Sequence, residues 1–144
     1  MKSLFIIPIQ SISDIITNSS SEMFVAAVPK DLNFKANEIE KILESIRVND
    51  QKEINQIYAT TKNYIQAFEE CDSKGLDICS GDGNICDIEV LTWKEVSHYI
   101  RKCNRQKYDK KDGVFLKIEI DKGRYNSKKW IRENLEILYF EDHS

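Results

Sequence analysis

At 144 residues, with 41% hydrophobic and 31% charged residues but only five Gly and two Pro, the chain has the composition of one globular domain, which excludes fibrous, disordered and low-complexity classes. A chain of this length buries roughly 68 to 70% of the surface exposed by its unfolded form, enough to fold without a metal or disulfide staple. The net charge of −3 is uneven, with 8 basic and 15 acidic groups in residues 1–90 against 13 and 9 in residues 91–144, so either an acidic face for a basic partner or a basic end for phosphate is open unless folding mixes the two sets.

The opening MKSLFIIPIQ carries one Lys and six apolar residues, but Pro8 and Gln10 interrupt it and no small-residue cleavage site follows. It reads as a first strand, Ser3 to Ile9, with Pro8 at its end or against an edge because proline cannot donate to a ladder. Met23 to Val28 is apolar and β-prone throughout, the pattern of a strand covered on both faces. Between the two lies a hydroxyl-rich loop, Ser11 to Glu22, longer than a plain hairpin turn.

From Asn37 the apolar period becomes 3.6, with Ile39, Ile42, Leu43 and Ile46 on one stripe, and Asn37 with Glu40 resembles a capping pair. Val48, Asn49 and Asp50 then read as a short connection, with Asp50 capping a second helix of stripe Ile54, Ile57, Tyr58, Thr61, Ile65 and Phe68. Gly75 supplies its left-handed C-terminal cap. Asp82-Gly83 between β-prone runs predicts a hairpin over Leu76 to Val90 that sets Cys79 opposite Cys86. Thr92 and Glu95 form a capping box for a third helix with stripe Trp93, Val96, Ile100 and Cys103. Val114 to Ile120 alternates as a half-exposed strand, and a short helix near Ser127 to Asn134 leads into a last strand, Ile137 to Phe140. The order predicts an α+β fold: a single two-layer domain over residues 1–144, its mainly antiparallel sheet of five or six strands packed by about four helices.

The chemistry expected of these residues is sparse. His98 reads as a partly exposed helix residue and His143 as a frayed terminus, neither beside a nucleophile, and the phosphate-loop, dinucleotide and nucleophile-elbow motifs are absent. Cys71, Cys79, Cys86 and Cys103 have no zinc spacing and read as free thiols, while Ile78 occupies the place where a calcium loop over residues 78–89 needs its first Asp. Neither a cofactor nor a metal is expected. With no window of 18 or more apolar residues, the expectation is a soluble, intracellular protein without membrane contact.

Two binding surfaces stand out. Asn18, Ser19, Ser20 and Ser21 can present donors to an anion while Asp14 and Glu22 polarise a bound water or hydroxyl, or Asp14, Thr17, Asn18 and the serines can satisfy their own turns. Arg101, Lys102, Arg105 and Lys107, with Tyr99 and Tyr108 among them, suit phosphate contacts and base stacking, or simply the C-terminal end of a helix dipole.

The string IQSISDIITNSSSEMF, Ile9 to Phe24, resembles an N-terminal signature, roughly D-I-(I/V)-T-N-S-S-S-E-x-F, of small uncharacterised proteins of bacteriophages and related mobile elements. The resemblance covers about sixteen residues and carries no catalytic residue with it. It implies a phage-encoded protein in the cytoplasm of a bacterial host. The leading expectation is a non-enzymatic accessory protein, of the host-takeover or anti-defence type, that binds a host protein or protein complex. The alternatives are a virion component and a small enzyme or nucleotide binder using the hydroxyl-rich loop, with nucleic acid as a lesser partner.

Overall fold

A computed structural model describes residues 21–78, 86–102 and 113–143 of the protein. Among them are four strands, β1 (Ser21–Val28), β2 (Cys86–Leu91), β3 (Val114–Asp121) and β4 (Glu136–His143), and four helices, α1 (Ala36–Thr60), α2 (Tyr64–Ser73), α3 (Trp93–Lys102) and α4 (Tyr125–Asn134). The strands make one antiparallel sheet in the order β2-β3-β1-β4. The fold is α+β, with four strands among the described residues where the sequence predicts five or six. One expected strand, Ser3 to Ile9, lies outside the described residues. Of another, the first arm of the hairpin, residues 76–78 are irregular and the remainder lies outside the described residues, while β2 pairs with β3. The turn residues Asp82 and Gly83 also lie outside the described residues.

The apolar run in β1 does occupy an interior strand, paired with β3 on one side and β4 on the other. Its alternate residues go to opposite faces. Phe24, Ala26 and Val28 join Leu116, Ile118 and Ile120 of β3 against Ile39 and Leu43 of α1 and Ile131 and Leu135 of α4. Met23, Val25 and Ala27 join Phe115, Leu138 and Tyr139 against Val96 and Ile100 of α3. Helices therefore cover both faces, giving three layers where two are expected. The reason is visible in β3: Phe115 is buried under α3, while Lys117 and Glu119, farther along the same face, are only half-buried.

Expected and observed helix ends differ in the break after α1 and at the start of α1. The chain runs without a break through Val48 to Asp50, and the interruption falls at residues 61–63, where Asn63 Oδ1 accepts the Gln66 amide at 2.9 Å and opens α2. Asp50 is thus an interior helix residue, buried rather than capping. At the start of α1 the reciprocal acid is Glu38, whose Oε2 accepts the Lys35 amide at 3.1 Å, in place of Glu40. The end of α2 follows the sequence closely. Gly75 has φ 67°, the Leu76 amide donates to the Cys71 carbonyl at 3.2 Å, and the Gly75 amide to that of Asp72 at 3.0 Å, a Schellman motif. A Cβ at Gly75 would also meet the Tyr125 ring at 2.7 Å.

The second half of α1 packs Ile54, Ile57 and Tyr58 on Ala67 and Cys71 of α2 and on Leu76 and Ile78, a small core separate from the two sheet cores. Ile65, expected on the buried stripe, is exposed. The capping box of α3 forms as expected: the Thr92 amide donates to Glu95 Oε1 at 3.0 Å and the Glu95 amide to Thr92 Oγ1 at 3.3 Å. No described helix is long and apolar enough to cross a membrane.

Candidate functional site

One end of the sheet collects the charged side chains that the cores leave over. Antiparallel pairing places Ser21, where the hydroxyl-rich loop enters β1, opposite Asp121 of β3 and His143 of β4. Ser21 is half-buried and Glu22 buried, whereas Asp14, Thr17, Asn18, Ser19 and Ser20 lie outside the described residues. Of the basic group, Arg101 is exposed on α3, Lys102 closes that helix, and Arg105 and Lys107 lie outside the described residues.

Glu22 faces α4. Its Oε1 accepts a hydrogen bond from Lys128 Nζ at 3.3 Å, and Arg132 Nη2 stands 3.7 Å from Oε2. Two cations against one carboxylate make Glu22 an ion-pair partner. Arg132 in turn lies over two rings, 5.2 Å from the Phe24 centroid and 5.8 Å from that of Phe140, with the rings themselves 5.2 Å apart. Phe24 is a core residue, but Phe140 is 43% exposed and the Arg132 side chain 51% exposed. An aromatic ring beneath an arginine, half open to solvent, has the composition of a protein-binding hot spot.

The opposite face carries a polar chain. Tyr139 donates to Glu141 Oε1 at 3.1 Å, Glu141 Oε2 lies 2.5 Å from His143 Nε2, and His143 Nδ1 lies 3.1 Å from Glu119. His143 is therefore a fixed residue of β4, not a frayed terminus. The alternation Tyr139-x-Glu141-x-His143 is the sequence signal for one shared strand face; the third partner, Glu119, comes from β3 and has no local signal. The carboxylates take opposite ring nitrogens, which favours the protonated imidazole. Among the described residues no cluster of three or more His, Cys, Asp or Glu is placed to hold a metal ion.

The hydrogen bond to Glu141, reinforced by the charges of Glu141 and Glu119, holds the His143 pKa above its ordinary value. A raised histidine pKa stabilises the fold fully below the unfolded value of about 6.5, and that contribution disappears as pH rises through the folded value. The imidazole resonance in a proton NMR titration should accordingly give an apparent pKa above 6.5, and Glu141→Gln should bring it down. An identical midpoint in the variant would remove Glu141 as the cause.

Beside this end, Asp77 of the irregular segment 76–78 accepts from the amides of Asn126 and Ser127 and from Ser127 Oγ, the last at 2.6 Å. It thereby caps α4 from a distant part of the chain. Asp50 Oδ2 stands behind it, accepting the Asp77 amide at 2.8 Å and Asn126 Nδ2 at 2.7 Å. The pair thus accepts from both backbone and side-chain donors at the start of α4. Burial pushes the Cys71 thiol up to about 11 and the Cys86 thiol up to about 12, and both are free thiols of low reactivity. Cys79 and Cys103 lie outside the described residues. In comparisons with known proteins, the chain matches no family model, no curated protein and no solved structure.

Proposed function

We propose that the chain is a phage-encoded, non-enzymatic accessory protein that acts in the cytoplasm of a bacterial host by binding a host protein or protein complex, with Arg132 and Phe140 as its contact. The observation that carries this reading is the half-exposed Phe140 ring under the Arg132 guanidinium, supported from below by Phe24. Burying such a pair against a partner removes apolar area from water while the stacked guanidinium, held among the described residues by one ion pair at 3.7 Å, keeps donors for the partner's acceptors. The N-terminal signature supports the phage origin.

Immobilised wild-type protein and the double variant Arg132→Ala, Phe140→Ala should be compared in lysates of several bacterial hosts. The wild type is expected to retain a stoichiometric protein that the double variant loses, while the variant's melting temperature falls only slightly because both side chains are half-exposed. Equal recovery by both proteins, or recovery of nothing from any host, defeats the reading. Stoichiometric presence of the chain in purified virions would overturn its host-directed part.

A further inference from the structure

Arg124, the residue that precedes α4, has the largest fully buried side chain among the described residues, at 1% exposure. Its backbone is accounted for: the amide donates to the Asp121 carbonyl at 3.1 Å and its carbonyl accepts the Lys128 amide at 3.0 Å. Its guanidinium is not. Among the described residues neither Nε nor Nη1 has a hydrogen-bond partner. Arginine cannot shed its proton to escape burial, so a buried guanidinium demands an acceptor.

Its charge acts on Cys86 and on Asp121, but among the described residues neither side chain hydrogen-bonds to Nε or Nη1. The acid that serves this helix end, Asp77, is committed to the Asn126 and Ser127 amides and the Ser127 hydroxyl. The open valence therefore belongs to the side chain and not to the Asn126, Ser127 and Lys128 amides of the helix terminus, which have acceptors.

We infer that Arg124 anchors a site for one small oxyanion, a carboxylate or phosphate group, taken up against Nε and Nη1 beside the turn from Asp121 to Arg124. The planar guanidinium fork matches the oxygen geometry of both groups, which is why the shared chemistry is named. The site is separate from the Arg132 and Phe140 contact and does not depend on it.

The test is the melting temperature of the full chain in inorganic phosphate or in acetate, each titrated against chloride at equal ionic strength, for wild type, Arg124→Met and Arg124→Lys. Wild type should rise by roughly 5 to 10 °C at a hundredfold excess over the Kd of the bound anion. Response to phosphate alone assigns a phosphate group, and to acetate alone a carboxylate. Arg124→Met should melt in chloride at or above the wild-type temperature, since it removes buried donors that lack acceptors, and should show neither response; Arg124→Lys should respond more weakly. Parallel responses in wild type and Arg124→Met overturn the site. So does a wild type indifferent to both anions together with a strongly destabilised Arg124→Met, which would assign the guanidinium to a carboxylate of the chain itself. Should Arg124→Met fail to fold, calorimetric titration of wild type with phosphate and with acetate decides, and absence of saturable binding to either overturns the proposal.

Discussion

Asp77→Ala should lower the unfolding free energy by about 3 to 5 kcal/mol, read as a fall in the urea midpoint at unchanged slope. The carboxylate is 2% exposed and serves two amides and a hydroxyl at the start of α4, while its own amide is held by Asp50. Truncation leaves those donors buried without acceptors, each costing about 1 to 3 kcal/mol, and detaches α4 from the segment that ties it to α1. Asp77→Asn keeps one acceptor oxygen and should cost about half as much. A loss below about 1 kcal/mol for Asp77→Ala would mean that water replaces the carboxylate at no great cost and that the network is peripheral.

The same residue gives a pH signature. Burial raises the Asp77 pKa, opposed by the Ser127 and Asn126 hydrogen bonds and aided by the Asp50 charge. The folded pKa then exceeds the unfolded one, so the folded state binds the proton more tightly. Asp77 favours the fold most below the unfolded value of about 4, and that advantage is lost as pH rises through the folded value. Urea midpoints between about pH 3 and 7 should therefore decline less steeply with pH in Asp77→Asn than in wild type. Asp121, whose pKa is also raised by burial, acts with the same sign and remains in both proteins.

Phe24→Ala should cost a further class of stability, about 3 to 5 kcal/mol, because it opens a cavity in an interior strand. The ring is 1% exposed and packs in the core that α1 and α4 share with the sheet. It also underlies Arg132 and touches Phe140, so its loss removes the platform of the proposed contact. Phe140→Ala, on the exposed ring of the pair, should cost only about 1 kcal/mol. Phe24→Leu should recover most of the stability without restoring the stacked arginine, leaving partner capture impaired in a folded protein. Equal losses from Phe24→Ala and Phe140→Ala would show that Phe24 is not part of the packed core.

Elements whose signal is complete within a few residues were legible before folding was considered. The run Met23 to Val28 marks an interior strand, Thr92 with Glu95 starts α3, Gly75 ends α2, and the alternation from Val114 marks β3. Each depends on local hydrogen bonding or on the period of apolar residues. The site was legible only at Ser21 and Glu22, and even there not the ion pairs of Glu22, since Lys128 lies 106 residues away.

Tertiary contacts decided the rest. Asn49 and Asp50 look like a helix break because their side chains compete for the backbone, yet α1 continues because Asp50 finds donors on Asp77 and Asn126. Residues 76–78 are β-prone, but their polar atoms and apolar side chains are claimed by α4 and the small core on α2, so β2 takes β3 as its partner. The third layer, the fixing of His143 and the burial of Arg124 likewise depend on which distant strand or helix arrives alongside. Sequence by itself determined the elements whose signals are local, because propensity, caps and periodicity act over a single turn or strand. Which charges meet, and which are left buried without a partner, was decided only by bringing together residues tens of positions apart.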